Sequence, residues 1–146
     1  DWRSIFLVAG MLPIGTAMIQ SGAAASLAEE MLRVLEPYGA MAVLMGMFLT
    51  TTLLVQVLNG AATAAMIAPI ALAAAQQMGL NPQALGMAVA LGASMAFITP
   101  LGHPVNILVM GPGGYTFRDY TRVGAPLALI LSILILGLLP WVWPLR

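Results

Sequence analysis

Uncharged apolar runs, each near the length needed to cross a bilayer, alternate along this chain with short polar interruptions. Crossing about 30 Å of hydrocarbon takes roughly 20 apolar residues at about 1.5 Å each. Residues 4–22, "SIFLVAGMLPIGTAMIQSG", meet that length and predict a spanning helix bent at Pro13 and Gly15. The next stretch, "SLAEEMLRVLEPYG", changes character. Ser26 and Glu29 fit a capping box, Glu29 and Arg33 are spaced as an i,i+4 pair, and Leu27, Met31, Val34 and Leu35 share one face. This predicts an amphipathic helix lying at the membrane surface, ended by Pro37 and Gly39.

Residues 40–58 are uncharged and of spanning length, and "NGAA" then interrupts them. Helix resumes from Thr63 to about Gly79. The interruption reads either as a loop in water or as the tip of a re-entrant hairpin over 40–79. The second limb favours the hairpin, because it meets Gln76 and Gln77 before it has covered the hydrocarbon thickness. Asn81, Pro82 and Gln83 mark a turn and a helix start. Residues 85–98 are apolar but too short to cross alone. "TPLGHPVN" follows, with two prolines, a glycine, an asparagine and the chain's single histidine, and 107–110 are apolar again. The whole of 85–110 predicts a broken transmembrane helix. "GPGGYTFRDYTR", 111–122, reads as an aqueous loop, and 123–142 as the last spanning helix, with Trp141 and Trp143 where an interfacial aromatic belt places them.

Composition turns these elements into an all-α membrane protein. The chain is 61% hydrophobic and 7% charged, whereas a soluble domain carries about a quarter charged residues. Zero formal net charge gives no reason to expect nucleic acid, and zero cysteines exclude disulfides and thiolate metal sites within this sequence. Arg3, Arg118 and Arg122 are expected on the cytoplasmic side and Arg146 outside. With Asp1 at its start and no basic n-region, the sequence is expected to be a piece of a longer membrane protein and to carry no cleavable leader. Pro13, Pro69 and Pro126 read as kinks. Thr50, Thr51 and Thr52 are expected to bond back to their own helix carbonyls.

Candidate chemistry lies at the two breaks. Unwound backbone survives at membrane depth only where protein or trapped water covers it. In secondary transporters such breaks present helix N-termini to anions and unwound carbonyls to sodium. The first break offers Asn59, Gly60, Ala61, Ala62 and Thr63. The second offers Thr99, Pro100, Gly102, His103, Pro104 and Asn106. Amide oxygens of Asn59 and Asn106 and hydroxyls of Thr63 and Thr99 are hard ligands of the kind sodium takes. Glycine lets backbone approach a ligand, and Pro100 and Pro104 keep the helix from closing. His103 reads either as a ligand or proton carrier, or as a neutral ring bonded to a carbonyl. No nucleophile–histidine–acid set and no histidine cluster is apparent, so neither catalysis nor a metal site beyond sodium is expected.

At these residues the sequence resembles the C-terminal transport repeat of the divalent-anion:sodium symporters, the sodium–dicarboxylate and sulfate cotransporters, with their citrate-transporter-like domain. "DWRSIFLVAGMLPIGTAMIQSGAA" is similar to the repeat's opening helix. "NGAATAAMIAPIAL" stands where the family has a Ser-Asn-Thr hairpin tip and an Ala/Leu-rich limb. "FITPLGHPVNILVMGPGGYTFRDYTRVGAPL" stands where it has a Pro-x-Gly-Thr-x-x-Asn break, a glycine-rich turn and the last helix. Aligned on Thr63 and Pro69, Asn59 takes the family serine's place, Gly60 its asparagine's and Ala61 the next polar position. Gly102, Pro104 and Asn106 fit the second motif, and His103 occupies its threonine position.

The resemblance implies one of two inverted repeats, with sodium and a divalent anion held between hairpin tip and broken helix. It implies a homodimer in the cell's inner membrane, multi-pass, with an N-terminal repeat supplying the other half of the site. No cofactor is implied; sodium is the coupling ion. The expected function is sodium-coupled secondary transport of a small anion such as sulfate or a dicarboxylate. The alternatives are a proton-coupled or arsenite- or cation-type transporter of the same superfamily, or a non-transporting membrane subunit.

Overall fold

The computed structural model of the chain describes residues 33–145 without interruption, and residues 17, 20–22, 26 and 30 before them. The bend at Pro13 and Gly15, the capping glutamate Glu29, and Arg3 and Arg146 lie outside the described residues. Arg33 pairs with Glu30 at 2.9 Å, on an exposed surface where such a pair contributes only tenths of a kcal/mol. Pro37 sits in a single 3-10 turn, Glu36–Tyr38, and Gly39, at φ 91°, releases the chain into the first long helix.

That helix, α1 (Ala40–Leu54), is apolar on every side. Val43, Leu44, Met47, Phe48 and Thr51 are buried, while Met41, Met45, Leu49 and Leu53 form an exposed stripe on another side. A helix that is hydrophobic all round belongs in a core or in lipid. The Asn59 side chain caps α2 (Gly60–Met78), which keeps Pro69 in its interior. Asn81 caps α3 (Pro82–Ala93), with Pro82 at the first helical position, where a missing N–H costs nothing. Helix α3 packs against both α1 and α2. Ala71, Ala74, Ala84 and Ala88 are buried at these contacts, around Leu85, Val89, Phe48 and Ile67. Small residues of this kind let membrane helices approach closely.

Two helices complete the described chain, α4 (Pro104–Gly113) and α5 (Phe117–Val142). At 26 residues, α5 is about 39 Å long, more than the hydrocarbon thickness. Leu129, Ile133, Leu138 and Trp141 on it are exposed. Beyond α5 the chain returns to the start of α3. The Asn81 N–H donates to the Leu145 carbonyl at 2.9 Å and its Nδ2 to the Pro144 carbonyl at 2.9 Å. The described residues form helices, turns and bends and no strand, as an all-α membrane protein requires.

Three boundaries differ from the sequence reading. Helix α1 stops at Leu54 and not at Leu58, because Gln56 and Val57 donate three residues back, to Leu53 and Leu54, in tighter turns. Helix α3 stops at Ala93 and not at Ile98, so the second break covers 94–103. The supposed loop 111–122 shrinks to 114–116. Helix α4 runs to Gly113, Gly114 turns at φ 64°, and α5 begins six residues before Val123. The cause is a capping box. The Asp119 carboxylate accepts the Thr116 N–H at 2.7 Å and the Thr116 hydroxyl at 2.6 Å. In this exposed turn ahead of the apolar span, the hydroxyl and then the N–H of Thr116 hold the Asp119 carboxyl below its usual range.

Candidate functional site: two breaks held together

The first break spans 55–59. Thr50 and Thr51 donate to the Gly46 and Met47 carbonyls at 2.7 and 2.6 Å, as expected of threonine inside a helix. Thr52 departs from that expectation, its buried hydroxyl having no partner among the described residues. Asn59 Oδ1 accepts the Ala62 N–H at 2.8 Å, and the Asn59 carbonyl accepts both the N–H and the hydroxyl of Thr63 at 3.0 Å. The N–H groups of Gly60 and Ala61, first in α2, have no intrahelical acceptor.

The second break spans 94–103 and folds as a bend followed by one 3-10 turn, Pro100–Gly102. His103 caps α4, its Nδ1 accepting the Val105 N–H at 3.3 Å; the ring's own proton then sits on Nε2. Asn106 Nδ2 reaches back to the Ala96 carbonyl at 2.8 Å. Helix α5 braces this break from outside. The Tyr120 hydroxyl donates to the Asn106 carbonyl at 2.7 Å, and the Thr121 hydroxyl to the Ile98 carbonyl at 3.2 Å. The backbone at Gly124 lies directly against the Phe97 carbonyl.

The breaks meet through a residue that sequence reasoning missed. Gln56, 7% exposed, donates from Nε2 to the Thr52 carbonyl at 2.8 Å and the Met95 carbonyl at 2.7 Å. Its Oε1 accepts the N–H groups of Ile98 and Thr99 at 3.1 and 3.3 Å. Its backbone carbonyl accepts the Thr99 hydroxyl at 2.5 Å. Two glycines close the contact. A Cβ on Gly60 would stand 2.7 Å from the Ala93 carbonyl oxygen, and one on Gly102 would stand 2.6 Å from the Val55 carbonyl oxygen. The readable signal was an amide in an otherwise apolar stretch, the only one between Ala40 and Leu58.

The expected site residues therefore divide. Gly60, Thr99, Gly102 and Asn106 lie at the junction, with Pro100 buried beside them. Thr63 is fully buried, and the hydroxyl protons of both Thr63 and Thr99 are committed to backbone carbonyls. Asn59 and Ala62 are half-buried; Ala61, His103 and Pro104 are exposed. Among the described residues no cluster of histidine and acidic side chains could hold a metal ion. A cavity of about 460 Å³ lies between α4, α5 and Phe97 of the second break, lined mainly by apolar groups such as Phe97, Val109, Val123 and Leu127.

The chain matches the citrate transporter family over residues 1–146. It is 42% identical to a protein of Synechocystis sp. named an uncharacterized transporter, across 90% of this chain and 22% of that protein. It is 37% identical to an uncharacterized transporter of Escherichia coli, across 98% of this chain and 23% of that one. It is 29% identical to sodium/sulfate cotransporter 1 of Chlamydomonas reinhardtii, across 90% of this chain and 15% of that one. The chain spans less than a quarter of the length of these relatives. Two unwound, interlocked segments inside apolar helices, together with a match along the full 146 residues, make one conclusion plain: this chain belongs to the citrate transporter family of membrane transporters.

Proposed function

We propose that this chain is the C-terminal transport repeat of a permease that moves a small divalent anion, sulfate or a dicarboxylate, together with sodium across the inner membrane. The observation that carries the reading is the junction of 55–59 with 94–103, where polar backbone is unwound inside apolar sequence. Helices α1 and α2 form the re-entrant hairpin. At 15 residues, α1 is about 22 Å long, short of a full crossing. Helices α3 and α4 form the broken span, and α5 crosses with Arg118 and Arg122 at its cytoplasmic end. The Gly60 and Ala61 N–H groups supply the positive helix end that an anion needs. The carbonyls of the second break, with the Asn106 amide oxygen, supply hard ligands for sodium. Thr63, Thr99 and Pro100 shape the backbone around them. The N-terminal repeat of the same permease contributes the other half of the site, in a homodimer. Relatives named sodium/sulfate cotransporters support this choice of solute and ion.

The test is uptake of labelled sulfate and succinate by the reconstituted full-length permease, with and without sodium at fixed pH. Sodium-dependent uptake of one of them is expected, and Asn106→Ala should lower it roughly tenfold, about 1.4 kcal/mol of lost stabilisation. Uptake indifferent to sodium would end the sodium reading.

One observation favours a second reading, a proton-coupled carrier: His103 is exposed and its Nε2 has no hydrogen bond among the described residues. His103→Asn separates the two, because asparagine caps α2 and α3 in this same fold and cannot carry a proton. Under sodium coupling the variant should keep uptake within about threefold of the parent, less than 1 kcal/mol. Loss of uptake together with loss of its pH dependence would favour the proton.

A further inference from the structure

If α3 continued past Ala93, the Met95 carbonyl would accept the N–H of Thr99, four residues on. These two groups do not bond each other. The Met95 carbonyl takes Gln56 Nε2 at 2.7 Å, and the Thr99 N–H goes to Gln56 Oε1 at 3.3 Å, with the Ile98 N–H alongside at 3.1 Å. One side-chain amide stands in the ladder where a direct bond would be, and a side chain inserted into the helical ladder is a known cause of a break. The same amide acts on its own helix. The Thr52 carbonyl would ordinarily accept the backbone N–H of Gln56. That N–H turns to Leu53 at 3.2 Å, and Gln56 Nε2 takes its place on Thr52 at 2.8 Å. Both donors and both acceptor sites of the side-chain amide are thereby used, and the Gln56 backbone carbonyl adds the Thr99 hydroxyl.

We propose that Gln56 is the positioning residue of the transport site: its side-chain amide props both helix breaks open and locks them into one body. Gly60 against Ala93 and Gly102 against Val55 bring the backbones close; Asn106 and Thr121 take the Ala96 and Ile98 carbonyls, and Gln56 is the side chain whose amide bonds backbone groups of both breaks' flanks at once. An amide is required. A carboxylate offers no donor to the Thr52 and Met95 carbonyls. An apolar side chain leaves the Thr52 carbonyl and the Ile98 and Thr99 N–H groups unpaired, the Met95 carbonyl keeping only the Phe97 N–H at 3.0 Å, or lets Thr99 close onto Met95.

The uptake arm of the test rests on the transport reading above; the distance arm does not. In the full-length permease, cleared of other cysteines and placed in lipid, spin labels go on Val57→Cys and Val105→Cys, both exposed positions flanking the two breaks. The parent should give one narrow distance distribution, and Gln56→Leu a broadened or displaced one. Gln56→Glu keeps the shape and makes the clamp titratable, since a carboxyl facing carbonyl oxygens in a buried site is pushed above its usual value of about 4.3. Its distribution should be broad near about pH 8.5 and narrow near about pH 5.5, where the protonated acid regains one donor. Uptake by Gln56→Glu, relative to the parent at the same pH, should fall roughly tenfold at the higher pH and return to within about threefold at the lower. Distributions unchanged in Gln56→Leu, or a Gln56→Glu variant indifferent to pH in both arms, would overturn the proposal. If Gln56→Leu does not fold, the isosteric glutamate decides alone. A parent without sodium-dependent uptake would count against the transport reading only, with the distances still judging Gln56.

Discussion

On the transport reading proposed above, Gly102→Ala in the full-length permease should cut uptake at least tenfold while leaving a folded, membrane-inserted protein. The added methyl would stand 2.6 Å from the Val55 carbonyl oxygen and 3.1 Å from the Ala96 methyl. Backbone on one side and a packed alanine on the other leave no flexible group to yield. Overpacking of this kind costs about 1–3 kcal/mol, and each 1.4 kcal/mol that falls on the loaded state is about tenfold in occupancy. The strain falls on the contact that joins the two breaks, so uptake should suffer before global stability does. Gly86→Ala is the matched control. It lies in α3 with nothing among the described residues within 4 Å of the added methyl, and a helix interior gains up to about 1 kcal/mol from such a change. Uptake by both variants, set beside their thermal unfolding in detergent, measures the difference. Equal uptake would mean that the breaks need not touch for transport.

Gly124→Ala should have the larger effect on stability. A Cβ there would overlap the Phe97 carbonyl oxygen, with the Phe97 carbonyl carbon at 2.8 Å and the Ile98 Cα at 2.9 Å. All three are backbone atoms of the second break. To admit the methyl, α5 must move away, and the Tyr120 and Thr121 hydroxyl bonds to Asn106 and Ile98 lengthen with it. The expected loss is about 3 kcal/mol or more, at the upper end of overpacking penalties. It should appear as a lowered unfolding temperature and faster hydrogen exchange across 96–103. Gly137→Ala, in the same helix with nothing within 4 Å among the described residues, should leave exchange unchanged and the unfolding temperature equal or slightly raised. An unfolding temperature for Gly124→Ala equal to that of Gly137→Ala would show that α5 does not brace the break.

The sequence made the helical, lipid-adapted character legible because composition alone distinguishes it, and it marked Asn59 and Asn81–Pro82 because caps and prolines act locally. It also placed a break at Pro100–Gly102. It did not show that this break opens at Ser94, since Met95, Ala96, Phe97 and Ile98 are as apolar as the helix before them. Their unwinding is set by Gln56, 39 to 43 residues away along the chain, and contacts at that separation leave no periodic trace. The start of α5 was different. Thr116 and Asp119 carried a readable cap signal, which the polar "RDYTR" beside them obscured. That the Thr63 and Thr99 hydroxyl protons are engaged on backbone carbonyls could not be read from spacing; their oxygens keep lone pairs.

The clasp between Asn81 and the residues after α5 bears on how the molecule is made. Asn81 and Pro144 lie 63 positions apart in order of synthesis. During translation the beginning of α3 leaves the ribosome long before its partners exist. Until Pro144 and Leu145 emerge, the Asn81 N–H and amide must find other partners, so the start of α3 reaches its final seating only after the whole of α5 has been made.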